Sequence, residues 1–349
     1  MWILTLLLFF LILGILVTIH EFGHFIVAKK CGVHIYEFSI GMGPLIWKHM
    51  GKDKIQYSIR ALPIGGYVQM AGEVGEDDPK VKKDKFLCNR PWYQRILVLC
   101  AGVFNNFLLA FILLFAIGLI WGGTTTEPKI AEVVANSAME KAGAQDGDLI
   151  LSVNGKKATT WDKTQLYLLM ENKDNKYIIE VKHINGTTET LEVSPEITKT
   201  KKGIETKVYG IQMDITKEYG FKNAIKYACN KFVSVYESMF TVITGLFTGK
   251  FTIKSLSGPV GIYSVVDETA RLGLEQVLYL IAFLSINLGF VNLLPFPAFD
   301  GGHVLFVIIE MIKGSKVDPK LEGIFHTIGF ALIFLLMIII TIQDIIRLL

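Results

Sequence analysis

Four stretches of the chain are long and apolar enough to cross a membrane, and they constrain the fold more than any other feature. Met1 to Ile19 carries no ionisable side chain, Ile96 to Thr126 is uncharged throughout, Val277 to Phe299 is uncharged up to Asp300, and Ile324 to Gln343 is the last. Each reaches about 20 residues, the length of helix that covers about 30 Å of hydrocarbon. Helices are the expected spanning form, because lipid offers no partner to an exposed peptide group. A hydrophobic content of 51% and a mean hydropathy of +0.44 agree, and exclude a chain soluble throughout. The first stretch has no basic n-region and no small-residue cleavage site after it, so it reads as a span rather than a signal peptide.

Charge sets the expected orientation. Lys29 and Lys30 follow the first span, the segment up to Arg95 is net basic, and Lys313, Lys316 and Lys320 crowd the last short connection. Both segments are expected in the cytoplasm, with the two termini and residues 127–275 outside. The net charge of +3, with no long basic tract, argues against nucleic acid as a partner. Cys31, Cys88, Cys100 and Cys229 show no CxxC spacing and read as packed thiols.

The outer segment alternates short apolar runs with turn signals: Ile130 to Val134, Asp148 to Val153 before Asn154-Gly155, and Tyr177 to Val181 before Asn185-Gly186. That pattern predicts a small mixed α/β module. Phe221 to Phe251 has apolar residues at helical spacing among lysines, which predicts an amphipathic helix on the membrane surface. In the inner segment, Val33 to Trp47 and Ile55 to Met70 are strand-like arms around Gly51-Lys52, with Gly41-Met42-Gly43 in the first arm and Gly65-Gly66 in the second.

Ionisable groups at membrane depth cost about 2.5 to 3.5 kcal/mol each, so their presence calls for a function. The first span ends in His20-Glu21-Phe22-Gly23-His24. On a helix His20 and His24 share one face a turn apart, as two metal ligands must, and Glu21 can reach a water on the same metal. A further donor must come from elsewhere, and Asp300 is the candidate. Zinc binding releases about 10 to 16 kcal/mol, enough to offset two buried carboxylates. Asp300 ends the run Asn292 to Asp300, in which Pro295 and Pro297 cannot continue a helix and Gly301-Gly302 allow tight turns. The third span is therefore expected to break there, and unwound backbone at that depth must line a polar cavity or lie within protein.

HEFGH in the first span, NLLPFPAFDGGH in the third, and Gly258-Pro-Val-Gly-Ile between them resemble the site-2 protease family of intramembrane zinc metalloproteases, in its bacterial RseP- and RasP-like branch. Leu62 to Val68 and Ala101 to Phe107 extend the resemblance over most of the chain. It implies one zinc ion held by His20, His24 and Asp300, Glu21 as general base, and Asn292 as a polar group near the metal that helps hold substrate or oxyanion. It also implies a membrane-dipping β element whose Gly41 and Gly43 lie beside the zinc and help hold an extended substrate. Where many relatives have AGP in the second span this chain has Ala101-Gly102-Val103, so a role for that proline does not carry over. Asn136 to Gly155 resembles the core of bacterial PDZ domains, which bind extended segments by strand addition. A single PDZ domain fits Gram-positive members of the family better than two-PDZ relatives.

The resulting expectation is a multi-pass α-helical membrane protein with four transmembrane helices, a membrane-associated β element and one inserted PDZ domain. Its parts are a first span over 1–28, a cytoplasmic loop over 29–95, a second span over 96–122, the PDZ domain over 127–196, a linker with the amphipathic helix over 197–275, a broken third span over 276–312, and a fourth over 323–346. The expected activity is that of a zinc endopeptidase in a bacterial cell membrane. It would cut transmembrane segments of single-pass proteins near the cytoplasmic face. The resemblance implies an anti-sigma factor or signal-peptide remnant as substrate, already shortened outside by a site-1 protease. Two other readings remain open on the residues alone: a membrane-tethered gluzincin that takes a glutamate as third ligand, and a noncatalytic PDZ scaffold or metal transporter with vestigial motifs.

Overall fold

The computed structural model describes residues 2–73, 78–170, 172, 174–199, 205–251 and 257–348. In chain order the elements are α1 (Trp2–Lys30), β1 (Ile35–Met50), β2 (Gln56–Met70), α2 (Trp92–Ile120), β3 (Gly123–Thr124), β4 (Ile130–Val133), α3 (Ala138–Lys141), β5 (Leu149–Val153), β6 (Lys156–Lys157), α4 (Trp161–Leu169), β7 (Tyr177–Lys182), β8 (Thr188–Val193), β9 (Glu196–Lys199), β10 (Glu205–Val208), β11 (Ile211–Met213), β12 (Lys217–Glu218), α5 (Phe221–Phe247), α6 (Pro259–Leu272), α7 (Leu274–Leu293), α8 (Asp300–Lys313) and α9 (Pro319–Leu348). They fall into two compact units, residues 1–113 with 258–342, and residues 114–257 with 343–349.

Among the described residues, four helices are long and apolar enough to cross a membrane: α1, α2, α7 and most of α9. Within the first unit, α1 packs on α6 and α7 through Phe9, Ile12, Leu16, Val266 and Leu280. Small and polar side chains set the close approaches, as expected where lipid tails compete for every apolar contact. A Cβ on Gly23 would stand 2.3 Å from the Ala101 carbonyl oxygen, so α1 and α2 touch through backbone at this crossing. Asn105 Nδ2 donates to the Ile19 carbonyl at 3.2 Å, and Ser285 Oγ donates to the Asn106 carbonyl at 2.8 Å, joining α2 to α1 and α7. α7 stops at Leu293, and α8 starts at Asp300, so the third span is broken across its two prolines.

The two arms around Gly51-Lys52 form more than a hairpin. Residues 37–40 pair with 66–69 on one side and with 56–59 on the other, while 56–60 also pair with 45–50. Two long bent strands thus supply four segments in the order 45–50, 56–60, 35–40, 66–70. The bend in β1 falls at Gly41 and Gly43, whose φ values of 83° and 82° suit glycine. The 66–70 segment lies at the sheet edge, and β2 runs along α1: a Cβ on Gly14 would meet the Pro63 carbonyl oxygen at 2.8 Å. Phe25, Ile35, Phe38, Val68 and Val98 form the core beneath this sheet.

The second unit contains an α+β module whose central sheet has the order β6, β5, β7, β8. β7 alternates as a half-buried strand should, with Tyr177, Ile179 and Val181 fully buried. Asn154 and Gly155, both with positive φ, close the β5 to β6 hairpin. Ser137 Oγ accepts from the Glu140 N–H and caps the start of α3, and Glu140 Oε2 accepts from the N–H of Asn136, the residue before the cap. The packed module runs past residue 196, where the sequence reading ended it. β11 pairs with β4, and Tyr209 belongs to the same core as Ile130 and Tyr177. Short strands that pair across some 80 residues leave little local trace in a sequence. Beyond it, α5 buries Ala224, Tyr227, Ala228, Ser234, Val235, Ser238 and Thr241, the one-sided pattern of an amphipathic helix.

Candidate metal centre

His20 and His24 lie one turn apart on the face of α1 that meets α2, and both are almost fully buried. Their Nε2 atoms are 3.1 Å apart. Asp300 Oδ2 stands 2.9 Å from His20 Nε2 and 3.4 Å from His24 Nε2. Ligands of a tetrahedral zinc, with bonds of about 2.0 to 2.2 Å, are separated by about 3.3 to 3.6 Å, so these three atoms need move apart by only a few tenths of an ångström to form a zinc donor set. Two nitrogens and one carboxylate oxygen also match zinc in chemistry.

The tautomers agree with that fit. His24 Nδ1 is 2.8 Å from the Val98 carbonyl oxygen and must donate to it, which leaves the Nε2 lone pair for a metal. His20 Nδ1 faces the fully buried side-chain amide of Asn106 at 3.1 Å, and Asn106 Oδ1 is otherwise a buried acceptor without a partner. Turning that amide end for end lets Oδ1 accept the His20 Nδ1–H, which both satisfies the orphan and frees His20 Nε2. Asn106 is a residue that sequence reasoning passed over. Its signal was a doublet of asparagines in an uncharged span, where a polar side chain needs a reason.

Gly102 explains the space at the centre. A Cβ there would stand 2.4 Å from His24 Nε2 and 2.7 Å from His20 Nε2, so any larger residue would fill the place a metal takes. Asp300 reaches the cluster as the first residue of α8, where the exposed N–H groups of the helix start favour a carboxylate. Gly301 and Gly302 let the preceding loop fold tightly: a Cβ on either would meet a backbone carbonyl oxygen at 2.3 Å (Leu294) or 2.5 Å (Phe296).

Glu21 is half-buried beside the histidines, and its Oε2 accepts the Val68 N–H at 3.2 Å. That bond ties the sheet edge to the residue next to the cluster. Asn292 lies in the last turn of α7, partly buried, just before the break. Gly41 and Gly43 sit at the bend of β1, where Arg60 donates to the Gly43 carbonyl at 2.9 Å and to Glu37 at 2.9 Å. Among the described residues, the cluster is completed by an aspartate from the broken third span, and no glutamate joins it.

A profile of Peptidase family M50 matches residues 8–336. The zinc metalloprotease RasP of Shouchella clausii is 33% identical to the chain, over 99% of each. The regulator of sigma-W protease RasP of Bacillus subtilis is 32% identical over all of both chains, and the RasP of Bacillus licheniformis is 32% identical over 99% of each.

Proposed function

This chain belongs to peptidase family M50, the site-2 proteases, and from that membership and the His20, His24 and Asp300 cluster we propose how it cuts and what it cuts. It is an intramembrane zinc metalloendopeptidase of a bacterial membrane. In the proposed mechanism zinc is held by His20 Nε2, His24 Nε2 and Asp300 Oδ2. Bound there it supplies Lewis acidity, which brings the ionisation of water to near neutral pH.

The remaining work falls to the chain. Glu21, held through Oε2 by the Val68 amide, takes the proton from the attacking water and returns it to the leaving amine. Asn292, at the end of α7, holds the substrate or its developing oxyanion. A transmembrane helix hides its peptide bonds in its own hydrogen bonds, so it must be unwound before attack. The β element, with Gly41 and Gly43 at its bend, holds the unwound segment extended. His24 and the Val98 carbonyl, and His20 and Asn106, keep the ligating rings in the productive tautomer.

The proposed substrates are single-pass membrane proteins, either an anti-sigma factor or a signal-peptide remnant, shortened outside beforehand by a site-1 protease. The sigma-W role in the name of the Bacillus subtilis relative supports the first of these. The α+β module is proposed to be a PDZ domain on the outer side that restricts which shortened proteins reach the site.

The convergence of three donor atoms within 3.4 Å, one residue from Glu21, carries this reading. Its test pairs Glu21→Gln with Asp300→Ala in purified protein. Glu21→Gln is expected to keep zinc and lose cleavage, with single-span fragments accumulating in membranes of cells that express it. Asp300→Ala is expected to lose the metal. Cleavage by the Glu21→Gln protein would remove Glu21 as the base, and full zinc in Asp300→Ala would remove the ligand set.

A further inference from the structure

A second group of histidines lies between the broken span and the last helix. His303 of α8 and His326 of α9 stack ring on ring, with centroids 3.8 Å apart and planes inclined by 17°. Glu322 Oε1 is 3.2 Å from His303 Nδ1 and 3.8 Å from His326 Nε2. Two imidazoles and a carboxylate have the composition of a metal site, but the stacking argues against one. A metal bound by both rings lies close to both ring planes at about 2.1 Å from each nitrogen, and nearly parallel planes do not meet within that reach.

The hydrogen bonds give the cluster another role. His326 Nδ1 accepts the N–H of Ala298 at 3.1 Å, so its lone pair is spoken for and its proton sits on Nε2. Ala298 is a non-glycine residue at a φ of 86°, a left-handed conformation that its Cβ disfavours. It stands two residues before Asp300. One turn along α9 from His326, a Cβ on Gly329 would meet the Pro297 carbonyl oxygen at 2.4 Å. The same face of α9 therefore accepts both Pro297 and Ala298.

We propose that His326 is a positioning residue for Asp300: its Nδ1 and the Gly329 surface hold the Pro297-Ala298 turn in its strained form, and so aim the carboxylate at His20 and His24. The Ala298 N–H fixes the tautomer of the His326 ring, and stacking on His303, itself held by Glu322, fixes its plane. This rests on the reading of Asp300 as a zinc ligand. Outer groups that orient a ligand commonly change metal affinity by about 10- to 100-fold.

The test uses the full-length protein in detergent and compares His326→Phe, which keeps a ring but no acceptor, with His326→Asn, whose Oδ1 takes the place of Nδ1. Zinc affinity is measured by chelator competition, the ligand field by the visible spectrum of the cobalt form, and the Ala298 amide by hydrogen exchange in the metal-free protein. His326→Phe is expected to bind zinc about 10- to 100-fold more weakly, to shift the cobalt spectrum and to exchange the Ala298 amide faster. His326→Asn is expected to restore all three toward the wild type. Equal damage in both variants, or equal indifference while Asp300→Ala loses zinc, would overturn the proposal. So would a second bound metal that disappears in Glu322→Gln. Retention of zinc by Asp300→Ala would instead overturn the ligand reading on which the proposal rests.

Discussion

The residue most restricted by the metal centre is a glycine. Gly102 has no side chain to offer the cluster, yet a methyl group on it would stand 2.4 Å from His24 Nε2 and 2.7 Å from His20 Nε2. In a helix interior Gly→Ala ordinarily stabilises by about 1 kcal/mol. Here the gain belongs to the metal-free form, in which the imidazoles can swing aside, while the metal-bound form must absorb an overpacking cost of about 1 to 3 kcal/mol. Gly102→Ala is therefore expected to melt no earlier than wild type without zinc, but to bind zinc about 5- to 150-fold more weakly. Thermal unfolding with and without added zinc measures both at once, and an unchanged zinc-induced shift would mean the ligands do not face Gly102. His20, His24, Glu21 and Asp300 were legible in the sequence because each is an ionisable group in an apolar stretch. Gly102 was not, and Asn106 left only the trace of an asparagine doublet in an uncharged span, since what the two do depends on a helix crossing that no local pattern records.

At the scale of elements, the helices and the break between α7 and α8 were legible because apolar length and proline chemistry are local. The four-segment sheet made by β1 and β2 was not, because pairing 37–40 with two different segments is a long-range choice. The α+β module shows a further element-scale device. His183, which follows β7, is buried between Asp148 Oδ1 at 2.8 Å and Glu189 Oε2 at 3.0 Å. Hydrogen bonds that its ring donates to Asp148 first and to Glu189 second raise its pKa above the usual value. A raised pKa in the folded state means that protonation stabilises the fold. The contribution is complete below the unfolded value of about 6.5 and is lost as pH rises through the folded value. Amides of β7 and β8 in the full-length protein are thus expected to be better protected at pH 6 than at pH 8, after correction for intrinsic exchange. His183→Gln should flatten that dependence. A dependence that survives the substitution would assign it to another group.

For the whole molecule, the decisive quantity is which side of the membrane the metal centre approaches. His20 and His24 lie 10 and 6 residues before the end of α1 at Lys30, or about 15 and 9 Å along its axis. If Lys29 and Lys30 are cytoplasmic, the cluster is closer to the cytoplasmic face, and a substrate must be cut near its inner end. If they are outside, cleavage would release the opposite fragment. The excess of basic residues between α1 and α2 favours the first arrangement. Two exposed turns report on it directly: Lys52 in the turn between β1 and β2, and Ile184 in the turn between β7 and β8, 80% exposed. In a variant lacking Cys31, Cys88, Cys100 and Cys229, Ile184→Cys is expected to react with a membrane-impermeant maleimide in intact cells, and Lys52→Cys only after the membrane is opened. The reverse pattern would invert the topology, and with it the face of the membrane that His20 and His24 approach.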